Sequence, residues 1–354
     1  MTHIHDPLYG TIAISPIMKL FIDTPEFQRL RFLKQLGVCY LVFPSATHTR
    51  FEHSLGVSHL TFILLTHLKT HHPDLEISDK VIELIQLAGL LHDIGHGPLS
   101  HMYDAHFSAT THEKRGIEII NRIVKTHNIP LSESDCRFIA DCIDPQPNAS
   151  WQYQIVANKQ SHVDTDKLDY LRRDCYHLGL DYAGEYSRIL TNCRIVNNNI
   201  AFADKIKYDI LSIFLTRYRL HKQVYCHHAV IGFQLSIISA SSTLELRDDL
   251  TDSVFDSIII NLRRTQHRVI FEKTYTTHFN EDCLNLLGIP DEIICVQTRL
   301  SLASDSTSTP IEAILFYSHP NYDQSFTLKL SDISVMFSNN FYEVCVRLYR
   351  KHTY

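Results

Sequence analysis

From His53 to about Lys69 the apolar residues Leu60, Leu64 and Leu68 recur at helical spacing, which places them on one side of a helix. After the polar loop HHPDLEI, Ser78 can cap a second helix that turns Val81, Leu84, Ile85, Ala88 and Leu91 inward. Thr24-Pro25 predicts an earlier helix start and Gly37 its stop. The same periodicity predicts helices over 113–126, 133–143, 166–178 and 205–226. From about residue 254 the apolar runs shorten to EIICVQ, EAILFY, FTLKL and YEVCVRLY, separated by NED, SDSTSTP and HPNYDQ. The Ser/Thr/Asp cluster at 304–309 reads as a surface loop. The pattern predicts a mainly α chain, with a helical bundle over residues 1–250 and a small α/β carboxy-terminal lobe over 251–354.

A chain of 354 residues is long enough for a large apolar core without covalent staples. Nine cysteines with no CxxC spacing argue against a disulfide framework or a thiolate zinc site, and for a reducing, intracellular and cytoplasmic setting. No leader-like start and no long apolar run point to a membrane. With 33 basic and 39 acidic residues the net charge is −6. Nucleic-acid binding would therefore be weak and confined to a local groove, and an anionic ligand would need its own basic pocket. Histidine is abundant, with 23 copies, and supplies both metal ligands and mobile protons.

His92-Asp93-Ile94-Gly95-His96-Gly97-Pro98 ends the second long helix. An adjacent His-Asp pair offers one nitrogen and one oxygen to a metal; taken alone, it equally describes a helix end with His92 capping carbonyls. Reach strengthens the metal reading. The helix after His53 travels roughly 25 Å outward and the next returns about 20 Å, so a hairpin brings His53 back to His92 and Asp93. In VDTDKLDYLRRDCYHLG, Asp166 is the chosen fourth ligand, with Asp164 as a cap and Asp169 as a solvated or salt-bridged residue. Two imidazoles and two carboxylates suit Fe, Mn, Zn, Ni or Mg. Arg217, His221 and Tyr225 recur every four residues and would form a substrate wall, or otherwise a solvated helix face. Arg50 and Lys167, tethered to metal ligands, are candidate phosphate holders.

Four ordered blocks, RFEHSLGV from Arg50, HDIGHGPLSH from His92, DKLDY from Asp166 and Arg173-Asp174-Cys175, resemble the HD-domain phosphohydrolases. The likeness is greatest to the deoxynucleoside triphosphate triphosphohydrolases that carry a sterile alpha motif beside the HD domain, and it runs from Asp6-Pro7 to Arg350-Lys351. The resemblance implies an HD-domain helical bundle that cleaves a dNTP to deoxynucleoside and inorganic triphosphate at a divalent metal, with Mg2+ accompanying the nucleotide. It implies that Arg50, Lys167 and Arg217 hold phosphates, that Gln35, Leu36, Tyr170 and Asp174 surround the sugar, and that His96, His101 or His112, with Asp104 orienting one of them, protonates the leaving 5′-oxygen. It also implies a homo-oligomer, dimer or tetramer, activated by GTP or dNTP. Asp23, Gln28 and Arg31 match part of one regulatory nucleotide site, and Arg188 and Lys205 match part of its neighbour. Thr2 replaces an expected lysine there and Ala203 an expected arginine. Cys226 stands where the family has glutamine, and Val38-Cys39 stand where it has glycines. The sterile alpha motif and a nuclear-localising basic segment are expected to be missing. Other readings of the same residues are an HD phosphohydrolase acting on nucleoside monophosphates or phosphodiesters, and a weakly catalytic protein that binds nucleotides or single-stranded nucleic acid.

Overall fold

The computed structural model describes residues 2–241, 247, 249–262, 269–277, 293–302, 310–333 and 342–351. A hairpin of β1 (Thr2–Asp6) and β2 (Gly10–Ile14) precedes the helices. The longer helices are α1 (Arg50–His71), α2 (Asp79–Leu91), α3 (His112–Thr126), α4 (Glu133–Ile143), α5 (Thr165–Leu178), α6 (Lys207–Leu220) and α7 (His228–Ala240).

Local chemistry sets their ends. Glu52 Oε1 accepts from the backbone N–H of Thr49 at 2.8 Å, before α1. Ser78 Oγ accepts from Val81 N–H at 3.2 Å, before α2. Asp164 Oδ1 accepts from Lys167 N–H at 2.9 Å, which makes it the cap of α5. Leu60, Leu64 and Leu68 of α1 and Leu84, Ile85, Ala88 and Leu91 of α2 are buried in one core, each large side chain contributing about 1.5–3 kcal/mol by leaving water. Core residues Leu168, Leu171 and Cys175 turn the apolar side of α5 onto the same cluster.

Two helix expectations change. The helix from Pro25 stops at Gln28 and continues only as a tight turn, Arg29–Phe32. Leu33 is extended, Lys34 bridges to Thr49, and Gln35 N–H donates to the His48 carbonyl at 2.9 Å. This short extended pairing takes the place of another helical turn. After α6 the chain widens into a π turn, His221–Tyr225, instead of continuing as regular helix.

The strands β3 (Cys193–Val196) and β4 (Asn199–Ala203) lie inside the stretch expected to be helical. The strands β5 (Val269–Thr277) and β6 (Ile293–Ser301) are followed by β7 (Leu315–Ser318), β8 (Asn321–Phe326) and β9 (Tyr342–Lys351). One sheet has the order β3-β4-β7-β8, with β4 and β7 parallel, and another has the order β5-β9-β6. EIICVQ from Ile293 onward, the end of EAILFY and YEVCVRLY are therefore strands. HPNYDQ, read as a separator, supplies most of β8, whereas FTLKL runs out of β8 into the short helix Leu330–Ile333. A largely exposed strand of polar residues has no apolar alternation to reveal it. NED and the cluster at 304–309 lie outside the described residues. No helix among the described residues is long and apolar enough to cross a membrane, and the described cysteines carry free thiols.

Candidate metal centre and substrate cavity

His53 projects from the first turn of α1, His92 and Asp93 follow the last turn of α2, and Asp166 sits in the first turn of α5. Packing α1 against both α2 and α5 brings these three chain segments to one point. His53 Nε2 lies 3.2 Å from His92 Nε2 and 3.1 Å from Asp166 Oδ1. Asp166 Oδ1 is 3.5 Å from His92 Nε2, and the ligand atoms of these three residues all fall within 4.8 Å of one another. Asp93 joins them, with Oδ2 at 3.6 Å from His53 Nε2 and Oδ1 at 3.4 Å from His92 Nε2.

The hydrogen bonds behind the rings set their tautomers. His53 Nδ1 faces Asp169 Oδ2 at 2.8 Å and His92 Nδ1 faces the Gly89 carbonyl at 2.9 Å. Neither oxygen carries a proton to give, so both Nδ1 atoms donate and the two Nε2 atoms converge on the place where either a proton or a metal ion can sit. Two lone pairs 3.2 Å apart repel unless a positive charge sits near them. The electrostatics agree. Burial works against a charged His53, but hydrogen bonds to Asp166 and Asp169 and the nearby Asp93 outweigh it and pull the ring up to about 10. His92 is raised in the same way, against burial, by Asp93 and Asp166. Burial opposes ionisation of Asp166, yet the two imidazoles hold it far below the usual carboxylate range. The donor set fits a divalent cation.

Asp169, read as solvated or salt-bridged, is fully buried and not solvated. Its oxygens take Arg173 Nε and Nη2 at 2.9 and 3.0 Å, and Arg173 Nη1 reaches Asp6 Oδ2 at 2.9 Å. The β1–β2 turn is thus linked through Arg173 and Asp169 to the ring of His53. Gly56 makes room for this, since a Cβ there would lie 1.9 Å from Asp169 Oδ1. The i, i+4 spacing of Asp169 and Arg173 was a visible signal of their pairing, but nothing local announced that the pair sits behind a ligand.

A cavity of about 790 Å3 opens beside the cluster. It is lined by His53, His92, Asp93 and Asp166, by His96, His101 and His112, and by Gln35, Leu36, Arg50, Lys167, Tyr170, Asp174, Arg217, His221 and Tyr225. Arg50 pairs with Asp93 and donates from Nε to Ser100 Oγ at 2.9 Å. Lys167 Nζ lies 2.9 Å from Asp164 Oδ2, and Arg217 Nη1 donates to the Ser301 carbonyl at 3.0 Å. Gln35 Oε1 is buried and accepts no hydrogen bond, leaving an acceptor in the cavity wall. Asp174 binds His48 Nε2 at 2.7 Å and the Tyr225 hydroxyl. His48, buried and stacked on His177 with ring centroids 4.4 Å apart, was missed because a lone histidine in a loop carries no periodic signal.

His96, His101, Asp104 and His112 form a second cluster with ligand-type atoms within 4.8 Å. Asp104 takes His112 Nδ1 at 2.8 Å and pairs with Arg115, whereas His96 Nδ1 is 3.9 Å away. The ring that Asp104 orients is therefore His112, which stacks on His96 at 3.8 Å between centroids. Burial, with Arg50 nearby, keeps His96 well below the ordinary imidazole value. Burial beside Arg217 brings His221 to about 3.

The matches to regulatory positions lie outside this cavity. Asp23 pairs with Lys19, Gln28 Nε2 donates to the Ile22 carbonyl at 2.7 Å, and the Arg31 guanidinium lies 3.5 Å from the centroid of Phe51. Arg188 pairs with Asp209 at 2.8 Å, and Lys205 is exposed.

A helical frame that turns two imidazoles and two carboxylates toward one point, beside a cation-walled cavity, defines the class of divalent-metal hydrolase centres. The HD domain family model matches residues 50–173. The chain is 31% identical over 395 aligned residues to the deoxynucleoside triphosphate triphosphohydrolase SAMHD1 homolog of Dictyostelium discoideum, covering 98% of this chain and 76% of that protein. It is 29% identical over 441 residues to deoxynucleoside triphosphate triphosphohydrolase SAMHD1 of Homo sapiens, covering 99% and 70%. A putative HD domain-containing protein, L394, of Acanthamoeba polyphaga mimivirus is 40% identical over 311 residues, covering 82% and 68%. The chain belongs to the HD-domain hydrolases, in the SAMHD1-type branch of that family.

Proposed function

We propose that this chain is a metal-dependent dNTP triphosphohydrolase that converts a dNTP into a deoxynucleoside and inorganic triphosphate. The observation that carries the reading is the single cavity in which His53, His92, Asp93 and Asp166 share walls with Arg50, Lys167 and Arg217. The names of the relatives support the substrate class. His53, His92, Asp93 and Asp166 would hold a divalent cation, and the donor set leaves Fe, Mn, Zn, Ni and Mg open. Such a cation supplies Lewis-acid polarisation of the reacting phosphate and a source of hydroxide at neutral pH.

The chain's own residues do the rest. Arg50, Lys167 and Arg217 keep N–H donors beyond those used within the protein and would neutralise phosphate charge as it shifts in the transition state. Gln35, with its unpaired acceptor, would accept a hydrogen bond from the 3′-hydroxyl, while Leu36 and Tyr170 wall off a 2′-hydroxyl and Tyr225 and His48 hold Asp174 in place. His112, oriented by Asp104, is the foremost candidate to protonate the leaving 5′-oxygen, with His96 and His101 packed around it. His221 and Tyr225 complete the far wall. Mg2+ would accompany the triphosphate. An activating GTP or dNTP at Asp23, Gln28 and Arg31, or at Arg188 and Lys205, would act between subunits of a homo-oligomer.

The test is to load purified protein with Mn2+, incubate it with each dNTP with and without GTP, and measure inorganic triphosphate. Release of intact triphosphate supports the proposal. Release of pyrophosphate or monophosphate alone, or no metal-dependent turnover in either condition, would overturn it.

A further inference from the structure

One buried carboxylate, remote in sequence from the ligand cluster, touches two segments of the cavity wall. Asp252 opens the short turn Asp252–Phe255 and is 4% exposed. Its Oδ2 accepts from the Lys34 backbone N–H and its Oδ1 from the Leu99 backbone N–H, each at 2.8 Å. Both donors lead directly into cavity wall. Lys34 precedes Gln35, Leu36 and Gly37, and Leu99 leads into Ser100 and His101.

The second of these segments is conformationally strained. Leu99 and Ser100 both have φ of 59°, a region that L side chains avoid, so the turn persists only where its surroundings hold it. The two segments also lean on each other. Ser100 Oγ donates to the Lys34 carbonyl at 3.0 Å, and a Cβ on Gly37 would come within 3.0 Å of the Leu99 carbonyl oxygen. The chain next to Asp252 is pinned separately: Arg29 Nη1 donates to the Leu250 carbonyl at 2.9 Å, while its Nη2 reaches the carbonyls of Ile94 at 3.0 Å and His96 at 2.7 Å. Phe255, fully buried, packs in one apolar cluster with Val38, Cys39, Leu99 and Met102. The turn is thus anchored by apolar contact independently of its carboxylate.

We infer that Asp252 is a positioning residue for the substrate, its two oxygens setting the separation between the Gln35–Gly37 wall and the Leu99–His101 wall. The inference rests on the deoxynucleotide reading of the cavity. A carboxylate accepts at both oxygens, whereas asparagine offers one acceptor and turns an N–H toward the other amide. Asp252→Asn therefore releases one wall while Phe255 keeps the turn in place. Asp256→Asn, at an exposed site on the following helix, is the control.

The experiment measures kcat and KM for dATP and ATP, bound Mn2+ and melting temperature in both variants and in the unmodified chain. Asp252→Asn is expected to raise KM for dATP by about tenfold or more and to narrow the preference for dATP over ATP, with bound Mn2+ unchanged and Asp256→Asn as the unmodified chain. A residue with a merely structural role would lower the melting temperature and leave KM and sugar discrimination alone; that result overturns the inference. Hydrogen exchange on the unmodified chain covers the case in which Asp252→Asn does not fold. The Lys34 and Leu99 amides are expected to be protected, and free exchange at either one overturns the inference. Absence of all dNTP turnover would sink the functional reading alone, because the exchange measurement needs no catalysis.

Discussion

Replacing Asp169 by asparagine removes one charge behind His53 with almost no change in volume. Asp169 Oδ2 serves both His53 Nδ1 at 2.8 Å and Arg173 Nε at 2.9 Å, and Oδ1 serves Arg173 Nη2 at 3.0 Å. An asparagine oxygen at the Oδ2 position keeps the tautomer of His53 but faces its amide against Arg173 Nη2. The metal-binding ring then loses the carboxylate that raises its basicity, a loss that typically weakens metal affinity about 10- to 100-fold, or roughly 1.4–2.7 kcal/mol. Arg173 keeps Asp6 at 2.9 Å, so the fold should survive, at a cost of about 3–5 kcal/mol for the mismatched buried pair. Competition of Mn2+ between the protein and a chelator of known affinity reads the effect directly, with circular dichroism verifying the fold. A folded Asp169→Asn variant that binds Mn2+ as tightly as the unmodified chain would refute the reasoning.

Four further outcomes are expected. Asp166→Ala, and separately His92→Ala with Asp93→Ala, should abolish Mn2+ retention and turnover while helical content stays largely intact; retained metal in both would remove the assigned centre. In the metal-free chain His53 sits at about 10, so it keeps its proton through the neutral range and an incoming cation must displace it. Apparent Mn2+ affinity should therefore climb about tenfold per pH unit between about pH 7 and pH 9, whereas a profile flat above pH 7 would contradict it. The same raised ring stabilises the metal-free fold fully below about 6.5, and that contribution is lost as pH rises through about 10, so the metal-free melting temperature should fall across that window. Gly56→Ala forces a methyl to within 1.9 Å of Asp169 Oδ1 and should cost about 3 kcal/mol or more by chemical denaturation; a loss below about 1 kcal/mol would mean that α1 and α5 separate easily.

The amino-acid order alone carried the helical frame, through short-range periodicity, and the choice of His53, His92, Asp93 and Asp166 as candidate ligands, through the lengths of two helices and the motif resemblance. Helical spacing marked α1, α2, α4 and α5 almost to their ends, and the lengths of α1 and α2 are enough to return His92 to His53. What only the tertiary structure decided are contacts between residues remote in sequence. Leu33 is extended because it leads into pairing with 48–49, Asp169 is buried because α5 packs on α1 at Gly56, and Asp252 reaches Lys34 and Leu99 across 218 and 153 positions. Periodicity reports which side of an element is apolar. It carries no information about which distant polar group will satisfy a buried donor, and that pairing is settled only when the elements pack together.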